Sequence, residues 1–377
     1  MRAYRFRMYP NKNQAALLSK HLIISAMLWN FLLLKTKEKY EKERRFFSRA
    51  ELQAMVKGSP IYSQVAQNIS HRLHNAIHRK LSAKKSDIRC GFPRFKNVDR
   101  AKSLHYPQFG FALKEKLAVS PFGEIAIVKH RQLQGKIKTL TLKREASGKW
   151  FAIFCTDFSP AAKQTNAKAA AGIDVGLARF ATLSDGRTIL NPHHIRKAEK
   201  KLAFLYRSLS KKKKGSKNRE NARIALCHCH ERVANRRNDF LHKTTNALLY
   251  SYSFLALESL NIRALSSMRL GRWINDAAWK KFANILSYKA ESAGCKVVFV
   301  NAAGTSQECS GCGAIVKKEL WQRKHTCNFC GLEIDRDINA SINILKRATA
   351  GIAGSNACGD GIEFLSGKQE AYAIRRE

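Results

Sequence analysis

Two cysteine pairs, Cys309-x2-Cys312 and Cys327-x2-Cys330, constrain this chain more tightly than any other feature, because only fourteen residues separate them. Tetrahedral zinc takes four thiolates, and each CxxC knuckle delivers two of them from one tight turn. Gly311, Gly313 and Gly331 give those turns the backbone freedom they need. The spacing predicts one structural Zn²⁺ held by Cys309, Cys312, Cys327 and Cys330, with every ligand position filled by protein. Cysteines spent on metal rather than on disulfides point to a reducing compartment. Cys227-His228-Cys229-His230 also mixes ligand types. Its surroundings read as a helix, where residues two apart point in different directions, so ordinary helical side chains are expected there.

The chain carries 69 Lys and Arg against 28 acids, a formal charge of +41, while 45% of its residues are hydrophobic. That hydrophobic share is too high for a disordered basic tail. A compact body so charged repels itself and calls for a polyanion, for which nucleic acid is the natural candidate. A membrane surface is disfavoured, because the basic residues are spread along the chain rather than gathered on one amphipathic helix. The longest apolar run, 22–34, is broken by Ser25 and Asn30 and is short for a bilayer. The first residues lack the apolar stretch of a secretory leader.

Tyr4, Phe6 and Met8 alternate with Arg5 and Arg7, which predicts a strand, and helix-like sequence follows to about residue 85. From Phe92 to Cys155 short alternating segments punctuated by Gly and Pro predict a small β-barrel-like element. Residues 156–170 read as a linker. Beyond it come a hairpin-like pair (171–175 and 179–183) and basic helical sequence (193–249). A strand at 253–257, a helix at 277–293 and a strand at 296–301 follow. Strands alternating with helices indicate α/β architecture with a mixed sheet.

In so basic a chain, acids inside apolar strands need a reason. Asp174 sits in Ala-Gly-Ile-Asp-Val-Gly-Leu, and Glu258 ends Ser-Phe-Leu-Ala-Leu-Glu. A lone buried carboxylate costs several kcal/mol unless it is paired or binds a cation. Each could pair with one of the many Lys or Arg residues. Asp337, or Asp335 beside it, could simply cap the helix that Ile338, Ile342 and Leu345 outline. Together, however, acids on a first strand, at the end of a later strand and at the start of a late helix could converge on one sheet edge. Such a cluster suits two Mg²⁺ ions.

These motifs resemble a known family. Gly172-Ile173-Asp174-Val175-Gly176-Leu177, Ala256-Leu257-Glu258-Ser259-Leu260-Asn261 and Asp335-Arg336-Asp337-Ile338-Asn339-Ala340 are similar to the three RuvC motifs of TnpB proteins, which transposons encode. Asp239-Phe240-Leu241-His242-Lys243, the stretch from Thr305 to Gly313, Phe92-Pro93-Arg94-Phe95-Lys96, Gly135-Lys136-Ile137-Lys138 and Asn356-Ala357-Cys358-Gly359-Asp360 also fit that pattern. The resemblance implies an α/β fold: an RNase H-like (RuvC) nuclease domain over 171–303 and 335–348 with a zinc ribbon, 304–334, inserted in it. A wedge-like β-barrel (1–10 and 90–158) carrying a helical recognition insertion (11–89) would precede it, and 349–377 would form a flexible tail.

By the same resemblance, the catalytic and Mg²⁺-binding residues are Asp174, Glu258 and Asp337, with Mn²⁺ able to substitute. Asp174 is expected to bridge both ions, and Glu258 and Asp337 each to help hold one. The implied activity is RNA-guided, two-metal-ion hydrolysis of double-stranded target DNA beside a short flanking motif. The guide RNA would come from the transposon end, and the protein would act as a monomer with one RNA. A prokaryotic cytoplasm, at the nucleoid, is the expected location. Basic residues of the N-terminal helices and of 197–219 would line a channel for the RNA–DNA heteroduplex. A strand-joining transposase and a catalytically silent RNA-guided repressor are the alternatives.

Overall fold

The computed structural model describes residues 1–83, 90–158, 169–268, 270–319 and 321–355. Most of the expected linker, residues 84–89 of the helical module, most of the tail and the Asn356–Asp360 motif lie outside the described residues. The chain divides into two units, Met1–Ser159 and Pro160–Glu377.

In the first unit, β1 (Arg2–Tyr9) buries Tyr4, Phe6 and Met8 and turns Arg5 and Arg7 away, as the alternation requires. Asn11 and Gln14 form a capping box that starts α1 (Lys12–Glu43), and α2 (Arg49–Ala54) and α3 (Ser63–Ala83) follow. By length and composition alone α1 could cross a membrane, since the 22–34 run is only its middle. Its Leu18, Leu22, Trp29, Leu32 and Leu33 nevertheless pack into this unit's core.

Six more strands complete the unit: β2 (Ser103–Tyr106), β3 (Phe111–Leu113), β4 (Leu117–Val119), β5 (Gly123–Val128), β6 (Ile137–Arg144) and β7 (Trp150–Thr156). The antiparallel order is β2-β6-β7-β1-β5-β4-β3. The two edge strands, β2 and β3, are joined by residues 107–110 only, a link that reaches about 18 Å at most. The sheet therefore curls until its edges nearly meet. Tyr106 on β2 stacks edge-on against Phe111 of β3 and donates its hydroxyl to the Ser120 carbonyl at 2.8 Å. The expected barrel-like element is thus a seven-stranded, nearly closed sheet that also uses the first strand of the chain.

The second unit opens with the hairpin β8 (Ala169–Val175) and β9 (Arg179–Leu183), then β10 (Thr188–Leu190). The helical stretch expected at 193–249 is two helices, α4 (His194–Ser210) and α5 (Lys217–Ser251). Gly215, at φ +83°, makes the break, and Ser216 caps α5 by accepting from the Arg219 N–H. Next come β11 (Tyr252–Glu258), α6 (Ile262–Ser266), α7 (Gly271–Ala277), α8 (Trp279–Ala293) and β12 (Lys296–Val300). The helix expected from 277 instead begins at 279, with α7 before it and Ala278 left-handed between the two. The chain then forms the cysteine-bearing segment with β13 (Lys324–Thr326) and β14 (Glu333–Asp335), and runs into α9 (Arg336–Ser355).

The main sheet has the order β10-β9-β8-β11-β12. β8, β11 and β12 are mutually parallel, and β9 is antiparallel to both of its neighbours. One face carries Ala171, Ile173, Leu255 and Leu257, which join Leu241 and Leu248 of α5 and Phe282 and Leu286 of α8 in the core. The other face bears Gly172, Asp174, Ala256 and Glu258, by the period-two rule. α9 lies on that second face, where Ile344 and Ala348 pack against Ala256.

Gly172 is what lets α9 approach so closely. A Cβ at this position would stand 2.0 Å from the Ser341 carbonyl oxygen and 2.8 Å from the Leu345 nitrogen, both backbone atoms of the helix. Gly172→Ala is therefore expected to cost about 3 kcal/mol or more, a fall in melting temperature on the order of 10 °C. A thermal melt unchanged from the parent would contradict this packing.

Candidate functional site

β8 and β11 run parallel, with Ile173 opposite Leu257. One step further along stand Asp174 and Glu258, side by side and on the α9 face. α9 begins beneath them, and its first turn contains Asp337. Asp335 is the helix cap: its Oδ1 accepts from the Asp337 N–H at 2.9 Å and, more weakly, from Ile338 at 3.4 Å. Its Oδ2 accepts from Arg179 at 2.9 Å. Asp335 is thus the aspartate that takes the cap, while Asp337 stands in the first turn of the helix.

Electrostatics couples Asp174 to the other two acids. Burial pushes the Asp174 carboxyl well above the usual carboxylate range, and the charges of Glu258 and then Asp337 push it further, against a smaller opposing pull from Arg336. All three residues are half-buried. Arg323, 3.9 Å from Asp337, is a partial counter-ion at the rim. A buried acid whose ionisation two neighbouring carboxylates oppose fits a divalent cation, and the hard oxygens gathered there suit Mg²⁺ better than zinc.

Thr305, just past β12, was overlooked in sequence as a site residue. Its buried hydroxyl donates to Glu258 Oε1 at 2.5 Å, and its carbonyl accepts from Asn343 of α9 at 2.9 Å. It sits in a stretch that fits the family pattern, but its partner is 47 residues away in the chain.

The four cysteines converge as the spacing predicts. Among the described residues they are the one His, Cys, Asp and Glu set whose ligand atoms all lie within 4.8 Å of one another. The carboxylates are spread more widely. Cys309 Sγ is 3.7 Å from Cys330 Sγ, and Cys312 Sγ is 3.6 Å from Cys327 Sγ. The edge of a tetrahedron with 2.3 Å zinc–sulfur bonds is about 3.8 Å, so the sulfurs fit that ion.

The two knuckles are built alike. Gly313 N–H donates to the Cys309 carbonyl and Gly331 N–H to the Cys327 carbonyl, both at 2.9 Å, and both glycines have positive φ. The Cys330 N–H, with that of Phe329, holds the Cys327 thiol down to about 6, which favours the thiolate. Asn339 of α9 clamps the first knuckle, accepting from the Ser310 N–H at 2.8 Å and donating to the Glu308 carbonyl at 2.7 Å. The cysteine segment and the helix bearing Asp337 are therefore one assembly. Cys227-His228-Cys229-His230 lies within α5, where Cys229 packs against Leu202 and Leu226, and Tyr206 bonds His230 at 2.9 Å.

Residues 153–269 match the family described as "Probable transposase", residues 279–344 the one described as "Cas12f1-like, TNB domain", and residues 1–45 the one described as "Helix-turn-helix domain". A protein of Streptomyces pristinaespiralis named "Putative RNA-guided DNA endonuclease" is 34% identical over 96% of this chain and 92% of its own. This chain belongs to the TnpB family. A second relative, InsQ of Escherichia coli K12, with the same description, is 27% identical over 96% of this chain and 95% of its own. The cryo-EM structure of a Cas12f1–sgRNA–target DNA complex shares the fold, with a TM-score of 0.56 at 14% identity, over 87% of this chain and 82% of that one. In this TnpB chain the residues matched as helix-turn-helix form a strand and one unbroken helix.

Proposed function

We propose that this protein is an RNA-guided DNA endonuclease that hydrolyses target DNA with Asp174, Glu258 and Asp337 as its metal-binding carboxylates. The observation that carries the reading is the placement of Asp174 and Glu258 side by side on one sheet face, with α9 bringing a third acid near enough to raise the first. The strand order β10-β9-β8-β11-β12, in which only β9 runs opposite to its neighbours, supports an RNase H-like (RuvC) nuclease core. The four sulfurs support a zinc ribbon inserted before α9.

Bound between the carboxylates, a pair of Mg²⁺ ions, or Mn²⁺ in their place, would activate water and stabilise the leaving oxygen. The protein's own part is to hold Glu258 through the Thr305 hydroxyl, to start α9 at Asp337 through the Asp335 cap, and to keep Asp174 and Glu258 on neighbouring strands of one sheet. A transposon-derived guide RNA would pair with one target strand, and a net charge of +41 favours holding that polyanion. The domain divisions given by sequence, one RNA per monomer, recognition of a short flanking motif and residence at a prokaryotic nucleoid complete the proposal.

The test is to purify the chain from cells carrying its native flanking DNA, sequence the bound RNA and supply DNA matching it. Discrete RNA and matched cleavage are expected. Random cellular RNA, or cleavage that ignores the match, would overturn the guided mechanism. The "Probable transposase" description favours a second reading, strand joining. Supplying transposon ends and finding joined products without guide-dependent cutting would select it.

Thr305→Val keeps the shape and removes one hydrogen bond to a charged acceptor, a loss of about 1.5–3 kcal/mol. Single-turnover cleavage is expected to slow about 10- to 100-fold. An unaltered rate would show that Glu258 needs no such support.

A further inference from the structure

We infer that a second site on the sheet edge shared by the carboxylates, the cavity between α4 and α7, seats a nucleotide of the DNA strand being cut. The inference rests on the nuclease reading and extends it to substrate positioning. β8, β10 and β11 all point their carboxyl ends the same way, because β9 reverses direction between β8 and β10. Asp174 and Glu258 lie at that edge. Open α/β sheets bind ligands outside the carboxyl ends of their strands.

The cavity, of about 260 Å³, is assembled from the segments that leave this edge. Leu177 follows β8, Asn191, His193 and Arg196 follow β10, and Trp273 follows β11. Leu177 is three residues beyond Asp174, and its carbonyl accepts from Asn191 Nδ2 at 2.8 Å.

The walls are held in place before any ligand arrives. Asp276, 6% exposed, accepts from the Ile195 N–H at 2.9 Å and from Arg237 at 2.8 Å, which ties α7 to the start of α4. Arg272 makes a second tie to Glu199 of α4 at 2.8 Å, and its guanidinium lies over the Trp273 ring, 5.2 Å from the centroid. His193 is left-handed, at φ +48°, and its side chain makes no capping bond. A non-glycine residue held in that conformation is a costly arrangement that concentrates at working sites.

The chemistry of the lining selects the ligand. A fixed tryptophan offers a stacking surface to any base, and Arg196 with His193 offers donors to a phosphate, the combination that grips single-stranded nucleic acid. Leu177 places the cavity beside the carboxylates, so the nucleotide it holds flanks the scissile phosphate.

The test uses the guide-bound complex and target DNA carrying single abasic sites along the cut strand. With the parent protein, one abasic position next to the cut is expected to slow cleavage about 10-fold, the size of one lost stacking contact. Trp273→Ala should slow cleavage of intact DNA by a similar factor and erase the penalty of that abasic site. Trp273→Phe should retain both behaviours, and Arg196→Ala, at an exposed position, should slow cleavage without lowering the melting temperature. An abasic profile identical in the parent and Trp273→Ala would overturn the inference. Failure of the unaltered complex to cut, or cutting that survives Asp174→Asn, would instead overturn the nuclease reading beneath it.

Discussion

Asp174→Asn is expected to lower guide-dependent cleavage by at least ~1000-fold, about 4 kcal/mol of transition-state stabilisation, while target binding stays intact. The substitution keeps the size of the side chain and removes the charge at the point where Glu258 and Asp337 act on it. The same variant carries a second expectation that needs no activity. The folded protein holds the Asp174 proton more tightly than the unfolded chain does. Raising the pH through that elevated value therefore costs the metal-free fold stability, and lowering it toward the ordinary carboxylate range restores it. Near neutral pH, metal-free Asp174→Asn should melt above the metal-free parent, and Mg²⁺ should raise the parent's melting temperature more than the variant's. A parent that melts identically with and without Mg²⁺, and no lower than the variant, would remove the carboxylates from the proposed metal site. Cleavage surviving the substitution would remove them from catalysis.

Cys327→Ala is expected to abolish zinc retention and cleavage together. Binding of structural zinc is worth about 10 kcal/mol or more in small zinc-folded peptides, and it supplies folding energy directly. Losing one of four thiolates should release the metal, measured as a fall from one zinc per chain to none by elemental analysis. Asn339 holds the first knuckle and Asn343 the Thr305 carbonyl, so the disorder should pass into α9 and displace Asp337. Cleavage persisting with no zinc bound would show that α9 docks on the sheet without the ribbon.

The sheet that carries the site was legible because its residues face opposite environments. Ile173 and Leu257 must be buried, so Asp174 and Glu258, each an odd acid in an apolar strand, betrayed a common face. The cysteines were equally legible, since four ligands and their turns lie within one short stretch. Residue type alone does not separate Asp335 from Asp337, because both suit a helix start; the family resemblance points to Asp337, and the bond from the Asp337 N–H gives Asp335 the cap. Thr305 escaped for a related reason: a threonine in a loop has no distinctive pattern until Glu258 is seen beside it. The curl of the first sheet depends on β1 pairing with β7 across most of its unit, and no local periodicity encodes that. The guide RNA follows from family resemblance alone.

The carboxylates enter the chain in the order β8, β11, α9, and the third arrives only after the cysteine segment. A nascent polypeptide still leaving the ribosome thus carries Asp174 and Glu258 long before Asp337 can join them. Products of interrupted synthesis that end before α9 would lack the third acid altogether, and on the proposed reading they would bind guide and target without cutting.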